Sequence, residues 1–163
     1  CAMIIKQADL FWGMDSDFIQ SLMNVSTKET HDKGDVLFSE GSPAQRFYVL
    51  LRGRVNVDIG DDHLITYDVH HAGEAFGWSG LLERERYAST GTCTEPTILL
   101  SFDVKDIMRL CEDNPVNGMM LYRKMAALLG DRLITSYHMD DLRLHEESSQ
   151  TYGSGQMVVP DAL

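Results

Sequence analysis

The fold is decided by residues 73–90, which read GEAFGWSGLLERERYAST. The stretch begins with a glycine-rich turn, passes through a segment with room for one or two helical turns, and resumes as a strand rich in serine and threonine. A short helix whose first turn is Gly77-Trp78-Ser79-Gly80 has unpaired backbone N–H groups at its start, and glycines let a ligand approach them. Because such a terminus favours an anion, the stretch predicts a ligand pocket.

Short runs of β-branched and aromatic residues, cut by glycines, surround this stretch. They predict strands at residues 27–31, 36–39, 46–51, 54–59, 63–70, 87–94 and 97–102, with hairpin turns at Gly60-Asp61-Asp62 and Glu95-Pro96. Many short strands joined in this way are typical of a barrel or roll that closes its own edges. We therefore predict a mainly β fold with flanking helices (α+β), built on an antiparallel β-roll of the jelly-roll type.

Helical patterns lie on both sides of the predicted roll. Asp15-Ser16-Asp17 offers N-caps for a helix over residues 16–25, and Asp103 offers one for the helix after the last strand. Asn114-Pro115 is a cap followed by proline at a first helical position, and the pattern then runs to about Glu147. At 1.5 Å per residue this helix would reach ~50 Å, which exceeds the width of a small domain, so it must find partners.

These patterns divide the chain into a lead-in and helix at residues 1–25, the roll at 26–102, helices at 103–147 and a tail at 148–163. The tail is rich in serine and glycine and is predicted to be flexible. The apolar stripe of the last helix fits a heptad repeat and predicts a homodimer seam through Leu121, Met125, Leu128 and Leu133. The alternative is that the first half of this helix packs on the roll while its second half frays.

Composition excludes several classes of function. The chain has 14 Lys+Arg against 25 Asp+Glu, and its net charge of −11 repels phosphate backbones and anionic membranes. Only 16 residues follow Glu147, without Lys or Arg, which leaves no room for a helix-turn-helix. We therefore expect no direct DNA binding by this chain and no membrane association. Its three cysteines lack close spacing, which predicts a reduced, cytoplasmic chain without a metal site.

Two further motifs carry a resemblance to a known family. Residues 33–44 read KGDVLFSEGSPA and residues 47–55 read FYVLLRGRV. With GEAFG at 73–77 and the long last helix, they resemble the cyclic nucleotide-binding domain of the catabolite-activator and FNR superfamily over about residues 8–145. The resemblance implies the β-roll, a phosphate-binding cassette, and a regulatory rather than enzymatic role with a cyclic nucleotide or another small anionic effector.

The resemblance also implies a ligand site in the cassette. Its residues are Phe76, Gly77, Trp78, Ser79, Gly80, Leu81, Arg86, Tyr87, Ala88 and Ser89. In relatives that bind cyclic nucleotides, a glutamate after Phe-Gly accepts from the ribose hydroxyl and an arginine pairs with the phosphate. Here Trp78 stands at the glutamate position and Tyr87 at the arginine position. Loss of both contacts would weaken binding about a hundredfold or more, so we expect poor binding of cAMP and cGMP.

Three functions stay open at this level. The first is a sensor domain that binds a small effector and signals through its C-terminal helices to a protein partner. The second is a ligand-free domain that acts as a protein–protein interaction module, with Trp78 filling the pocket. The third is a metal-dependent cupin-like enzyme, which needs converging histidines. His70 and His71 are adjacent and would point to opposite faces of a strand, and His63 is isolated. Cys93 and Cys111 are predicted to be small core residues.

Overall fold

The computed structural model describes the backbone of residues 2–60 and 65–152, and the side chains of residues 3, 5–60 and 65–135. The chain divides into two compact units, Cys1–Lys124 and Met125–Leu163. Every strand described below belongs to the first unit. Among the described residues, no helix combines the length and the apolar character that a membrane crossing requires.

The described residues form two four-stranded antiparallel sheets. One sheet has the order β1-β8-β3-β6 and the other has the order β2-β7-β4-β5. The strands are β1 (Ser26–His31), β2 (Val36–Phe38), β3 (Arg46–Arg52), β4 (Val55–Ile59), β5 (Ile65–Val69), β6 (Ala75–Phe76), β7 (Thr90–Cys93) and β8 (Thr97–Asp103). The arrangement confirms the predicted antiparallel β-roll.

Burial patterns along the strands show where the core lies. In β4, Val55 and Val57 are buried while the residues between and after them are not, which is the alternation expected of a strand with one covered face. In β3, four consecutive residues from Phe47 are buried, because this strand is covered on both faces. Phe47 stacks on Phe102 with ring centroids 4.8 Å apart, and Phe11 of the N-terminal segment packs against both rings.

Helices flank the sheets as predicted, with one addition. The elements are α1 (Ala2–Gln7), α2 (Ser16–Val25), the short 3₁₀ helix η1 (Trp78–Leu82), α3 (Val104–Asp113) and α4 (Pro115–Tyr152). Helix α1 lies in the segment predicted only as an apolar lead-in. The predicted cap of α3 is confirmed because the Asp103 carboxylate accepts a hydrogen bond from the Lys105 amide at 2.9 Å. Helix α4 continues past its predicted end near Glu147, and residues 153–163 of the predicted tail lie outside the described residues.

Helices α2 and α4 begin beside one another. Asn114 caps α4 as predicted, since its side-chain oxygen accepts from the Asn117 amide at 3.2 Å. Asp15 is the N-cap of α2 by position, yet its carboxylate accepts from the Asn117 side-chain amide at 2.9 Å instead of from its own helix. The Asp15 amide donates to the Asn117 side-chain oxygen at 3.4 Å. The buried Asn117 therefore joins the two helix starts, a long-range contact that local sequence patterns do not show.

The structure agrees with one of the two predicted hairpins and differs from the other. Strands β4 and β5 pair from Val55↔Val69 to Ile59↔Ile65, as a hairpin requires, while Asp61 and Asp62 of the predicted turn lie outside the described residues. The prediction for Glu95-Pro96 is wrong. This segment connects β7 in one sheet to β8 in the other, so the strands on its two sides are not hydrogen-bonded neighbours.

Part of the predicted dimer seam is also corrected. Leu121 is 0% exposed and Met125 is buried as well, so neither side chain offers apolar surface to a second chain. Leu128 is half-buried, and Leu133 is 51% exposed. The heptad spacing was correct as a pattern, but a pattern does not distinguish burial within one chain from burial between two chains.

Candidate functional site

The cassette begins where β6 turns into η1. Gly77 lies between them with a φ of +70°, a left-handed conformation that side chains rarely adopt. A Cβ atom added to Gly77 would also come within 3.0 Å of the rings of Phe38 and Tyr48. The short helix expected at this glycine is present, and the close approach of two aromatic rings explains why a glycine is needed there.

Helix η1 packs closely against the loop that precedes β3. A Cβ atom added to Gly80 would lie 2.2 Å from the carbonyl oxygen of Ala44, which is an impossible contact. Most of the helix is buried, including Trp78, Ser79 and Leu81. The cassette is therefore fixed to the body of the roll along the length of η1.

Four aromatic side chains fill the roll interior next to the cassette, and we call them the aromatic cluster: Phe38, Tyr48, Phe76 and Tyr87. Each is at most 5% exposed. The rings of Phe38 and Tyr87 stack with centroids 4.5 Å apart, and those of Tyr48 and Phe76 stack at 5.4 Å. Such offset ring pairs add to the stabilisation that burial alone gives. These four rings belong to the hydrophobic core between the sheets and the cassette.

Tyr87, which stands at the arginine position of the family, makes two hydrogen bonds with the Arg46 backbone, and the Tyr48 side chain is a further polar neighbour. Its hydroxyl donates to the Arg46 carbonyl at 2.5 Å and accepts from the Arg46 amide at 3.1 Å. Burial raises the pKa of Tyr87, and burial with the nearby Tyr87 hydroxyl raises the pKa of Tyr48. Both phenols are therefore neutral near pH 7, and neither supplies the charge of the absent arginine.

Arg86 is directed away from the aromatic cluster. Its side chain is exposed, and its Nη1 donates to the Gly41 carbonyl at 2.6 Å. An isolated bridge joins Arg86 to Pro43, so this segment runs antiparallel to the loop before β3. The one-residue offset seen in the sequence therefore separates the Arg86 guanidinium from the buried neighbour Tyr87.

The remaining predicted site residues lie together around η1. The Ser79 hydroxyl accepts from the Ala88 amide at 3.4 Å, which connects the start of the cassette to its end. Ser89 is buried two residues after Tyr87, and Phe76 and Leu81 are each about 1% exposed. Eight of the ten predicted residues are thus buried around η1, Ala88 is partly buried, and the Arg86 side chain lies at the surface.

Three side chains of this neighbourhood are not among the residues predicted from the sequence. Phe38 and Tyr48 come from β2 and β3, far from the cassette along the chain. Tyr122 comes from α4, and its hydroxyl donates to the Leu81 carbonyl in η1 at 3.1 Å. Burial raises the pKa of Tyr122, so this hydroxyl is a neutral donor. Phe38 and Tyr48 lie in the motifs at residues 33–44 and 47–55, but those motifs do not indicate which side chains reach the cassette, because that depends on tertiary folding.

The structure agrees with some predictions for the cysteines and histidines considered for other chemistry and not with others. Cys93 is buried, which confirms its predicted core position, and Cys111 is partly buried. Burial raises the pKa of the Cys93 thiol, and it raises that of Cys111 to about 11, so neither is a ready nucleophile. The prediction that His70 and His71 point to opposite faces is wrong. Strand β5 ends at Val69, and the two rings lie 4.0 Å apart on the outside of the roll. His63 lies outside the described residues.

The fold and the cassette together define an antiparallel β-roll domain in which a short, buried cassette follows β6. The sequence profile of the cyclic nucleotide-binding domain family matches residues 28–114, which is more than half of the chain, and the chain belongs to that family. Glutaminase 1 of Bradyrhizobium diazoefficiens is 30% identical over 132 residues, and this match covers 81% of the chain but 21% of the glutaminase. The chain therefore spans about a fifth of the length of this curated relative.

Solved structures support the same assignment. The catabolite activator protein of Thermus thermophilus is similar with a TM-score of 0.64 and 25% identity, over 86% of this chain and 65% of that one. The sensor domain of the transcriptional regulator DNR from Pseudomonas aeruginosa has a TM-score of 0.64 and 24% identity, over 82% of this chain and 93% of that one. The predicted resemblance to the catabolite-activator and FNR superfamily is confirmed.

Proposed function

We propose that this regulatory domain binds a small anionic or nucleotide-like effector at the cassette and signals through α4 to a protein partner. The observation that carries the proposal is the hydrogen bond from the Tyr122 hydroxyl to the Leu81 carbonyl, 3.1 Å long. It connects the first part of α4 directly to η1. An effector that binds more tightly to one position of η1 would strengthen or break this bond, and so shift the positions that α4 adopts.

The chemistry of the cassette narrows the effector. Trp78 and Tyr87 stand where nucleotide-binding relatives have the glutamate that holds the ribose and the arginine that holds the phosphate. The Tyr87 hydroxyl is hydrogen-bonded to the Arg46 backbone. We therefore expect cAMP and cGMP to bind poorly. A small anionic or nucleotide-like effector that is held by backbone N–H groups and aromatic faces, instead of by a glutamate and an arginine side chain, suits these residues better.

A specific observation favours a second candidate, a ligand-free interaction module. The aromatic cluster is packed and buried, and a planar ligand would have to displace or rotate at least one of its rings. In that case the cassette would serve as a rigid part of the roll, and the work of the domain would be protein–protein contact. Both candidate functions fit a member of this family. They differ in whether the aromatic cluster moves to admit a ligand.

The proposed partner surface lies at the junction of α3 and α4. Val116 and Met119 are large apolar side chains that are mostly exposed, and a cavity of about 280 Å³ lies beside them between Met108 and Tyr122.

We extend the homodimer proposal to the more exposed part of α4, which includes Leu133. Sedimentation velocity would test it: Leu133→Asp should shift a dimer to monomer, because a charge in an apolar seam is strongly unfavourable. We place the domain in the cytoplasm, as its free cysteines suggest.

A ligand screen separates the two main candidates. We expect a thermal-shift panel of cyclic mono- and dinucleotides, nucleotides and small anions to contain at least one stabilising compound, with native mass spectrometry showing its stoichiometry. A ligand at 100 times its Kd adds about 2.7 kcal/mol to stability, which is readily measured. If no compound raises the melting temperature and none co-purifies with the protein, the effector proposal fails and the interaction module is favoured.

The coupling step needs its own test. In the Tyr122→Phe variant the aromatic ring stays and only the hydroxyl that reaches Leu81 is lost. We expect the variant to bind the effector with similar affinity, while the effector-dependent change in hydrogen exchange along α4 becomes smaller. An unchanged exchange response in the variant would refute signalling through this bond.

A further inference from the structure

A compact group of potential metal ligands lies in the turn between β5 and β6, on the outside of the roll. It consists of His70, His71 and Glu74, and one potential ligand atom from each residue lies within 4.8 Å of the others. Zinc binds nitrogen and oxygen at about 2.0–2.2 Å, which places the ligand atoms of a tetrahedral ion roughly 3.4 Å apart. Small rotations of these side chains would therefore bring all three atoms onto one ion.

The turn itself is held in place by hydrogen bonds. One carboxylate oxygen of Glu74, Oε2, accepts from the backbone amides of His70 and His71, both at 2.7 Å. The Leu50 carbonyl in β3 accepts from the Gly73 amide at 2.8 Å, and the Leu50 amide donates to the Glu74 carbonyl at 2.9 Å. The backbone donors use only Oε2 of Glu74, so they do not occupy Oε1. The fixed turn presents a carboxylate beside two imidazoles at little cost in conformational entropy.

His70 has the second partner that metal-binding histidines usually have. Its Nδ1 lies 3.2 Å from the Asp68 carbonyl and 3.4 Å from the Asp68 carboxylate. An N–H at this position would donate to Asp68 and leave Nε2 with its lone pair for a metal. His71 lies close by, with its Nδ1 3.6 Å from Oε2 of Glu74 and its ring 4.0 Å from that of His70.

The surrounding charges favour a cation. The positively charged Arg54 is near Asp68, and its Nε lies 3.6 Å from the Asp68 carboxylate and 3.8 Å from that of Glu95. Its charge is therefore opposed by two carboxylates. The chain as a whole carries a net charge of −11, which raises the concentration of cations near its surface.

We propose that the β5–β6 turn is a binding site for a divalent transition-metal ion, Zn²⁺ in particular, with His70, His71 and Glu74 as ligands. Asp68 orients the His70 ring. Two imidazoles and one carboxylate suit zinc, nickel and copper, whereas magnesium and calcium prefer ligands that are all oxygen. Three protein ligands leave a fourth position for water. Because Glu74 directly precedes β6, a bound ion would stiffen the chain that leads into the cassette.

Isothermal titration of the untagged 163-residue chain with Zn²⁺, under a reductant that does not bind metals, tests the proposal. We expect one ion per chain and a rise in melting temperature, with no binding of Mg²⁺. The His70→Gln and His71→Gln variants should each bind Zn²⁺ at least tenfold more weakly, since even partners that only orient a ligand contribute about 10–100-fold. Glu74→Gln, which retains an acceptor for the backbone amides, should also weaken binding.

A matched histidine elsewhere on the roll supplies the control. His31 lies between two carboxylates, at 2.9 Å from Glu29 and 3.5 Å from Asp35, and within the part of the chain that the structure describes it belongs to no cluster of three potential metal ligands. We expect His31→Gln to bind Zn²⁺ as the original chain does. The proposal is overturned if the double variant His70→Gln/His71→Gln keeps the original affinity, if His31→Gln loses as much, or if no ion binds stoichiometrically.

Discussion

The replacement of Tyr87 by phenylalanine tests whether this residue stabilises the roll or serves the ligand. The variant keeps the ring that stacks on Phe38 at 4.5 Å and removes only the hydroxyl. That hydroxyl makes two hydrogen bonds with the backbone of Arg46, at 2.5 and 3.1 Å. Each such bond contributes about 1 kcal/mol net. We therefore expect the free energy of unfolding to fall by about 2 kcal/mol.

The loss should be visible in both thermal and urea denaturation. For a chain of this size, 1 kcal/mol corresponds to roughly 2–4 °C in the midpoint, so the expected decrease is about 4–8 °C. The Tyr48→Phe variant is a graded reference from the same aromatic cluster. Its hydroxyl makes one longer hydrogen bond, 3.3 Å, to the Leu37 carbonyl, and its removal should cost about 0.5–1 kcal/mol.

We expect Tyr87→Phe to lose more stability than Tyr48→Phe, and this difference tests the role of the Arg46 contacts. A Tyr87→Phe variant whose stability lies within 0.5 kcal/mol of the original chain would show that the Arg46 contacts do not hold the cassette. A larger loss for Tyr48→Phe would contradict the reasoning in the same way. If an effector is found and Tyr87→Phe reduces its affinity without changing stability, then the hydroxyl serves the ligand instead.

Three further substitutions test separate parts of the structure. Gly80→Ala should destabilise the chain by about 1–3 kcal/mol in urea denaturation, because its Cβ would lie 2.2 Å from the Ala44 carbonyl oxygen. Asn117→Leu should cost about 2–3 kcal/mol, because it leaves Asp15 without its amide partner. For Glu29, burial acts to raise the pKa, but hydrogen bonds from neighbouring side chains leave it below its ordinary value of 4.5. The ionised group therefore stabilises the fold above pH 4.5 and loses this effect as pH falls through the folded pKa; Glu29→Gln should cost about 1 kcal/mol at pH 7 and flatten the acid side of a stability–pH profile.

Each of these variants has a matched control in the chain. Gly130→Ala, in α4 with no heavy atom within 4 Å of the new Cβ, should be neutral or stabilising by up to about 1 kcal/mol. The exposed residues Asn24 and Glu85 serve as controls for Asn117 and Glu29, and Asn24→Leu and Glu85→Gln should change stability by less than about 0.5 kcal/mol. If the variants match their controls, or if Glu29→Gln keeps the original acid profile, the corresponding contacts do not contribute as we argue.

Local patterns in the sequence were enough to predict the β-roll, the bounds of α2, the caps at Asp103 and Asn114, and the start of the cassette at Gly77. These features depend on local physics. A carboxylate or amide caps the helix that follows it, proline suits the first helical turn, and a left-handed turn favours glycine. Interactions between residues close in sequence can be inferred from the sequence alone.

The side chains that surround the cassette come from distant segments and could not be predicted from local patterns. The tertiary structure brought Phe38 and Tyr48 against Phe76 and Tyr87, and it joined the Tyr87 hydroxyl to Arg46, 41 positions away. Pairing between strands also set the length of each strand. Because β5 stops at Val69, the histidines that follow leave strand geometry and converge. A heptad pattern likewise could not predict that Leu121 is buried within the chain. The contacts that fill a pocket or collect ligands depend on the packing of distant segments, which the order of residues along one segment does not specify.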